Sequence, residues 1–313
     1  MRRKRAVVPV LVALSALRTP AAAQEAHLEI LAQKFQSELE EIAWGYDGVA
    51  GIHVVDLTDG RHFDVQGDLV FPQASAIKIP ILLELFRRAE SEPELLRRRV
   101  EMNDRVRTLG SGVLHHLTDG GSSLALEDYA IYMIVYSDNT ATNVLIDALG
   151  MDAVNRLSAS LGAPGTRLQR KMIQPEASAR GDENLSTPAE AAGIMARVAS
   201  CELPMSEASC ARVREILEIP KSGPVRRPVP SSVPIAFKPG GITGVATVWA
   251  LVGLPDRPYV LSVMSNYGGD GDAVVEAASA AAFRYFSKLS GVTPYGTRVP
   301  LEVKRRIRGG SDP

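Results

Sequence analysis

The sequence predicts a mixed α/β chain of the α+β type. One antiparallel sheet is flanked by N- and C-terminal helices, an all-helical lobe is inserted into it, and a ligand cleft lies between the two. Three observations carry that expectation. Two strand-like runs, Val49–Leu57 and Arg61–Val65, are joined by Thr58-Asp59-Gly60, and Asp-Gly between such runs signals a hairpin. From Ser75 to about Ser232 the apolar spacing is helical almost throughout. Strand character then returns in Ile235–Lys238, Ala246–Gly253 and Tyr259–Ser265, and the amphipathic run Asp272–Leu289 closes the pattern.

Taken in order, the chain opens with Arg2-Arg3-Lys4-Arg5, an apolar run from Ala6 to Leu17, and the small residues Ala21-Ala22-Ala23. That is the pattern of an export signal cleaved after Ala23, and the apolar run is short of the ~20 residues that span a bilayer. Residues 24–290 are then read as one domain, with a sheet lobe from 24–74 and 233–290 and a helical lobe from 75–232. Within the sheet lobe, Leu28–Ile42 is a helix. The helical lobe contains Ile79–Ala89, Ala125–Tyr136, Ala141–Leu149, Ala153–Leu161, Pro188–Ala199 and Ala211–Leu217. A proline-rich connection over 219–234 cannot continue a helix, and 291–313 is read as a frayed basic tail.

The chain has 313 residues, 45% apolar and 23% charged, with a mean hydropathy of +0.01 and a net charge of −1. The first 23 residues hold basic groups and no acid, so the remainder is mildly acidic. That balance leaves no electrostatic footprint for nucleic acid, and the hydropathy excludes a polytopic membrane protein. Cys201 and Cys210 are the only cysteines; they are either two buried thiols or a short staple, and an oxidising compartment favours the staple. His27, His53, His62, His115 and His116 show no metal-ligand spacing. No phosphate-cradling loop or nucleotide fingerprint occurs, so no cofactor and no metal are expected.

Three segments carry chemistry. In Ala74-Ser75-Ala76-Ile77-Lys78, Ser75 and Lys78 share one helical face. A neutral lysine can take the proton of a serine nucleophile, and a helix N-terminus supplies N–H groups to an oxyanion. In Tyr136-Ser137-Asp138-Asn139-Thr140, a second hydroxyl can relay a proton to a leaving nitrogen while the Asn139 amide holds a substrate amide. In Phe237-Lys238-Pro239-Gly240-Gly241, a lysine on an edge strand can attract a carboxylate, and glycines let substrate approach the backbone. Each segment alone would serve equally well as a helix cap or a solvated loop.

Together, in this order and on these element types, they resemble the active-site serine family of class A β-lactamases and penicillin-binding proteins. The likeness extends through Leu126–Leu161, with Glu127-Asp128, Met133, Ser137 to Ala141 and Asn143, and covers about residues 26–290. It implies an exported serine hydrolase acting on cyclic amides, with Ser75 as the acylated nucleophile and Lys78 as its proton acceptor. Ser137 would pass a proton to the lactam nitrogen, and Lys238 would steer it and the substrate carboxylate. The amides of Ser75 and Gly241 would hold the oxyanion, Gly240 and Asn139 would bind substrate, and Asp138 would be structural. The implied partner is a small molecule, a β-lactam or a cell-wall peptide, met by a monomer without nucleic acid and, after signal cleavage, without a membrane.

Two positions depart from the family pattern. Pro239 stands where the third motif carries a hydroxyl, and Thr243 is the nearest candidate to replace it. The loop before Ser186-Thr187-Pro188 reads Gln174-Pro175-Glu176, which puts an amide where the family has a general base; an amide cannot accept water's proton at neutral pH. Glu176 is the nearest carboxylate, and Asp182 is expected to clamp the loop against Arg167 or Arg170. Acylation is therefore better supported than turnover. The alternatives to a β-lactam hydrolase are a cell-wall peptidase or esterase of the same fold, and an acyl-trapping penicillin-binding protein.

Overall fold

The computed structural model describes residues 20–293, 295–300, 302, 303 and 306. Most of the expected export signal, residues 1–19, lies outside them. The chain runs α1 (Pro20–Trp44), β1 (Val49–Asp56), β2 (His62–Val65), β3 (Phe71–Pro72), α2 (Lys78–Ala89), β4 (Arg99–Met102), β5 (Ser122–Ala125), α3 (Leu126–Val135), α4 (Asn139–Leu149), α5 (Met151–Ser160), α6 (Pro175–Ala179), β6 (Leu185–Ser186), α7 (Pro188–Ser200), α8 (Glu207–Glu218), β7 (Ile235–Ile242), β8 (Val245–Val252), β9 (Tyr259–Asn266) and α9 (Gly271–Leu289). The hairpin and the later strands form one antiparallel sheet in the order β2-β1-β9-β8-β7.

Period-2 alternation divides the sheet's side chains between two apolar layers. Ile52, Val54, Val248 and Val263 face Phe35 of α1 and Phe286 of α9, where Phe35 stacks on Tyr285 at 4.4 Å. Trp249, Met264 and Val55 face the other way, into a core with Leu82 of α2, Leu145 of α4 and Met195 of α7. The sheet is thus sandwiched between its terminal helices and the inserted lobe, the arrangement the sequence predicts. Among the described residues no helix is long and apolar enough to cross a membrane.

The inserted lobe is not all helical. Arg99–Met102 pairs with Ser122–Ala125, and Phe71-Pro72 pairs with Leu185-Ser186. These runs are too short to show an alternation of their own. β7 also continues past Lys238 to Ile242, with Pro239 opposite Val248 and Gly240 opposite Thr247. It is an edge strand, where a residue lacking N–H is tolerated. In the tail, expected to fray, Val292 bridges Arg298 and the Val299 amide bonds Gly291. Cys201 and Cys210 form a disulfide, with 5.8 Å between Cα atoms, that ties the end of α7 to α8.

Candidate active site

Ser75 sits in a 3-10 turn, Ala74–Ile77, that runs directly into α2. Buried Gln73 fixes the turn's entry: its Oε1 accepts from Trp249 Nε1 at 2.9 Å, its Nε2 donates to Phe71 O at 2.9 Å, and its carbonyl accepts from Thr247 Oγ1 at 3.0 Å. The sheet approaches this turn so closely that only glycine fits at 240. A Cβ there would lie 2.5 Å from Gln73 O and 2.7 Å from Ala76 N. Gly240 is therefore a packing contact beneath the turn and not a lining residue, whereas the next residue, Gly241, is exposed and faces the cleft.

Asp138 caps α4 by accepting from Ala141 N, and its other oxygen takes the amides of Val113 and Leu114 at 2.7 and 2.8 Å. This fully buried carboxylate is satisfied by backbone N–H groups, which makes it structural, as expected. The preceding residue, Ser137, has φ 52°, in the left-handed region, at a cost of about 1–2 kcal/mol. With its backbone turned this way, both of its oxygens meet buried amines. Lys78 Nζ donates to Ser137 O at 2.7 Å, to Ser137 Oγ at 3.1 Å and to Asn139 Oδ1 at 3.2 Å. Lys238 Nζ donates to the same Oγ at 3.0 Å and to Pro239 O at 2.8 Å.

Both lysines are essentially without solvent exposure. Burial pushes Lys78 down to about 7, against the opposing pull of Asp138. Burial also drives Lys238 well below its ordinary value, with the positive charges of Lys78 and Lys221 adding to the effect. An amine that is neutral near pH 7 is a competent base. The half-buried Ser75 hydroxyl has no hydrogen-bond partner among the described residues, because Lys78 is turned toward Ser137 and Asn139. Catalytic hydrogen bonds commonly tighten only once substrate arrives.

Ser75 and Asn139 open onto a cleft of about 360 Å³ that is lined also by Gly241, Ile242, Met172, Ile173, Gln174 and Ser178. The chain thus brings Ser75, Lys78, Ser137, Asn139, Lys238 and Gly241 together from three separate segments. Gln174 lines the cleft too, its Oε1 accepting from Lys171 N at 3.2 Å. Glu176 is exposed and outside the lining, and no carboxylate lines the cleft among the described residues. Thr243 lies exposed in the β7–β8 turn.

The loop is clamped differently from the expectation. Arg170 pairs with Glu183 at 2.7 Å, whereas Asp182 pairs with Arg180 at 3.1 Å. Ser178 adds a hydrogen bond to Glu183. A further grip went unread in the sequence: Asn143 accepts from Met172 N at 2.8 Å and donates to Met172 O at 3.2 Å. Its signal was present, since Asn143 lies four residues after Asn139 on one helical face. The loop residue held in register with the site is thus Met172, two positions before Gln174.

A family model described as the β-lactamase enzyme family matches residues 34–286. The chain is 26% identical over 237 residues to an imipenem-hydrolyzing β-lactamase of Enterobacter cloacae, covering 73% of this chain and 80% of that protein. Among solved structures it is similar to a β-lactamase from Sphaerobacter thermophilus, at 31% identity and TM-score 0.74, covering 81% of this chain and 97% of that one. It is also similar to PBP-A, at 26% identity and TM-score 0.74, covering 82% and 96%.

Proposed function

This chain belongs to the β-lactamase enzyme family, and from that premise we propose that it is an exported, monomeric serine hydrolase that opens β-lactam rings through an acyl-enzyme on Ser75. Neutral Lys78 takes the Ser75 proton as Oγ attacks the lactam carbonyl. The oxyanion is held by the amides of Ser75 and Gly241. The ring C–N bond then breaks as Ser137 passes its proton to the nitrogen and takes one back from the Lys78 ammonium 3.1 Å away, with Lys238 polarising that hydroxyl and attracting the substrate carboxylate. The observation that carries the reading is one hydroxyl, Ser137 Oγ, held between two buried lysines, one of them three residues after a Ser75 that lines the cleft without a hydrogen-bond partner among the described residues.

A second reading is favoured by the absence of a carboxylate from the cleft lining among the described residues. Without a base for the deacylating water, the ester persists, as in a penicillin-binding peptidase or an acyl-trapping protein. The likeness to PBP-A supports keeping this reading.

A chromogenic β-lactam followed together with intact mass tests both. Continuous ring opening that disappears in Ser75→Ala supports the hydrolase, and a stable one-to-one adduct, also lost in Ser75→Ala, supports the trapped ester. Ring opening at an unchanged rate in Ser75→Ala would refute both.

A further inference from the structure

Ile173 has φ 57°, a conformation that β-branched residues very rarely adopt. Its neighbours hold it there: Met172 is gripped at both N and O by Asn143, and Lys171 N is bonded by the Gln174 side chain. An apolar side chain forced into that backbone state, 55% exposed and lining the cleft, has no core to serve. Strain of this kind persists where the surroundings impose it, and it concentrates at functional sites.

The tip of the side chain lies against Gly110. A Cβ built on Gly110 would lie 3.2 Å from Ile173 Cδ1 and 2.8 Å from Asn139 Nδ2, so the isoleucine and the amide stand side by side. Asn139 gives one N–H to Leu109 O at 3.1 Å and its oxygen to Lys78. Its second N–H remains for a ligand carbonyl. An acyl chain bonded at that N–H meets Ile173.

We infer that Ile173 is a specificity-determining residue: it fills the room beside Asn139, so the cleft accepts substrates with small acyl groups and discriminates against large ones. The inference rests on the acyl-enzyme reading above. Its test compares benzylpenicillin, which carries a phenylacetyl amide, with 6-aminopenicillanic acid, which has the same ring system and no acyl group. The second-order rate of acylation is read for the parent, Ile173→Gly and Ile173→Leu, from adduct growth by intact mass where the ester persists and from kcat/KM for ring opening where it turns over.

Glycine accepts the backbone angle and empties the space, so benzylpenicillin should react at least about tenfold faster, within the range a filled pocket discriminates. The rate with 6-aminopenicillanic acid should stay within about twofold, because this probe does not reach the space that Ile173 fills. Ile173→Leu, which keeps the volume, should retain the parent's preference. Equal changes for both probes, or an unmoved ratio, would overturn the inference. Neither adduct nor ring opening on the parent with either probe would instead overturn the acyl-enzyme reading, and this inference with it.

Discussion

Lys78 and Lys238 reach the hydroxyl of Ser137 at 3.1 and 3.0 Å, and two full charges converging there in a dry site would repel strongly. Burial resolves the conflict by favouring the neutral amine, which for Lys78 sets titration near pH 7. The rate of Ser75 acylation should therefore climb across pH 6–8 as that proton is lost. Lys78→Met should reduce it by about 10²–10⁴-fold, the usual contribution of a general base. The same shift makes a statement about stability. Between about pH 7 and the ordinary lysine value of 10.5 the unfolded chain holds this proton and the folded chain does not, so stability rises with pH over that window. Below pH 7 the charge is buried in full. Lys78→Met should thus gain stability relative to the parent more at pH 6 than at pH 9, as read from urea midpoints. A pH-independent difference between the two proteins would count against a depressed Lys78.

At the scale of elements, the sequence showed what long periodicity can show. β1, β8 and β9 are near-continuous apolar runs buried on both faces, β2 and α9 bury one face with a clear period, and each appears where the pattern puts it. β4 and β5, four residues each with one buried position between them, have no such period to read. The continuation of β7 through Pro239-Gly240-Gly241 was concealed for a different reason, because two residue types that usually end strands are acceptable on this edge. The candidate site was legible wherever a motif rides on a helix or strand, and illegible on the loop after α5. There Gln174-Pro175-Glu176 matches the family pattern by letters alone, while the grip of Asn143 sets the register at Met172. A carboxylate introduced at the gripped, buried position should reach the ester better than one introduced at the exposed one. Met172→Glu is expected to shorten the lifetime of the β-lactam adduct at least about tenfold, a modest share of what general-base catalysis supplies. Gln174→Glu should change it little. Intact mass recorded against time after removal of free β-lactam decides between them, and a faster loss in Gln174→Glu would restore the alignment by letters.

For the molecule as a whole, function depends on how the sheet and the inserted lobe are held against each other at one point. The turn that carries Ser75 belongs to the start of the lobe, and Lys238 belongs to the sheet's edge. Gly240 lies where the two touch, with no space for a methyl group between Gln73 O, Thr247 Oγ1 at 2.6 Å and Ala76 N. Two of those neighbours are backbone atoms and cannot swing away. Gly240→Ala must therefore push the Ser75 turn off β7, separating the hydroxyl from the lysine and from the Gly241 amide. Overpacking of this kind costs about 1–3 kcal/mol, or a melting shift of roughly 2–12 °C at ~2–4 °C per kcal/mol. Displacement by about 1 Å at a reacting centre can cost ~100-fold in rate. The disulfide provides the contrast. It joins the end of α7 to α8, away from the residues that line the cleft, and closing so short a loop contributes about 2–3 kcal/mol. A Cys201→Ser/Cys210→Ser double variant should melt lower by a similar amount to Gly240→Ala yet acylate at the parent rate. Loss of acylation in Gly240→Ala alone, at matched melting temperatures, would locate the requirement in the fit between the lobes. Equal losses in both variants would mean that general loosening, and not this contact, sets the geometry of the site.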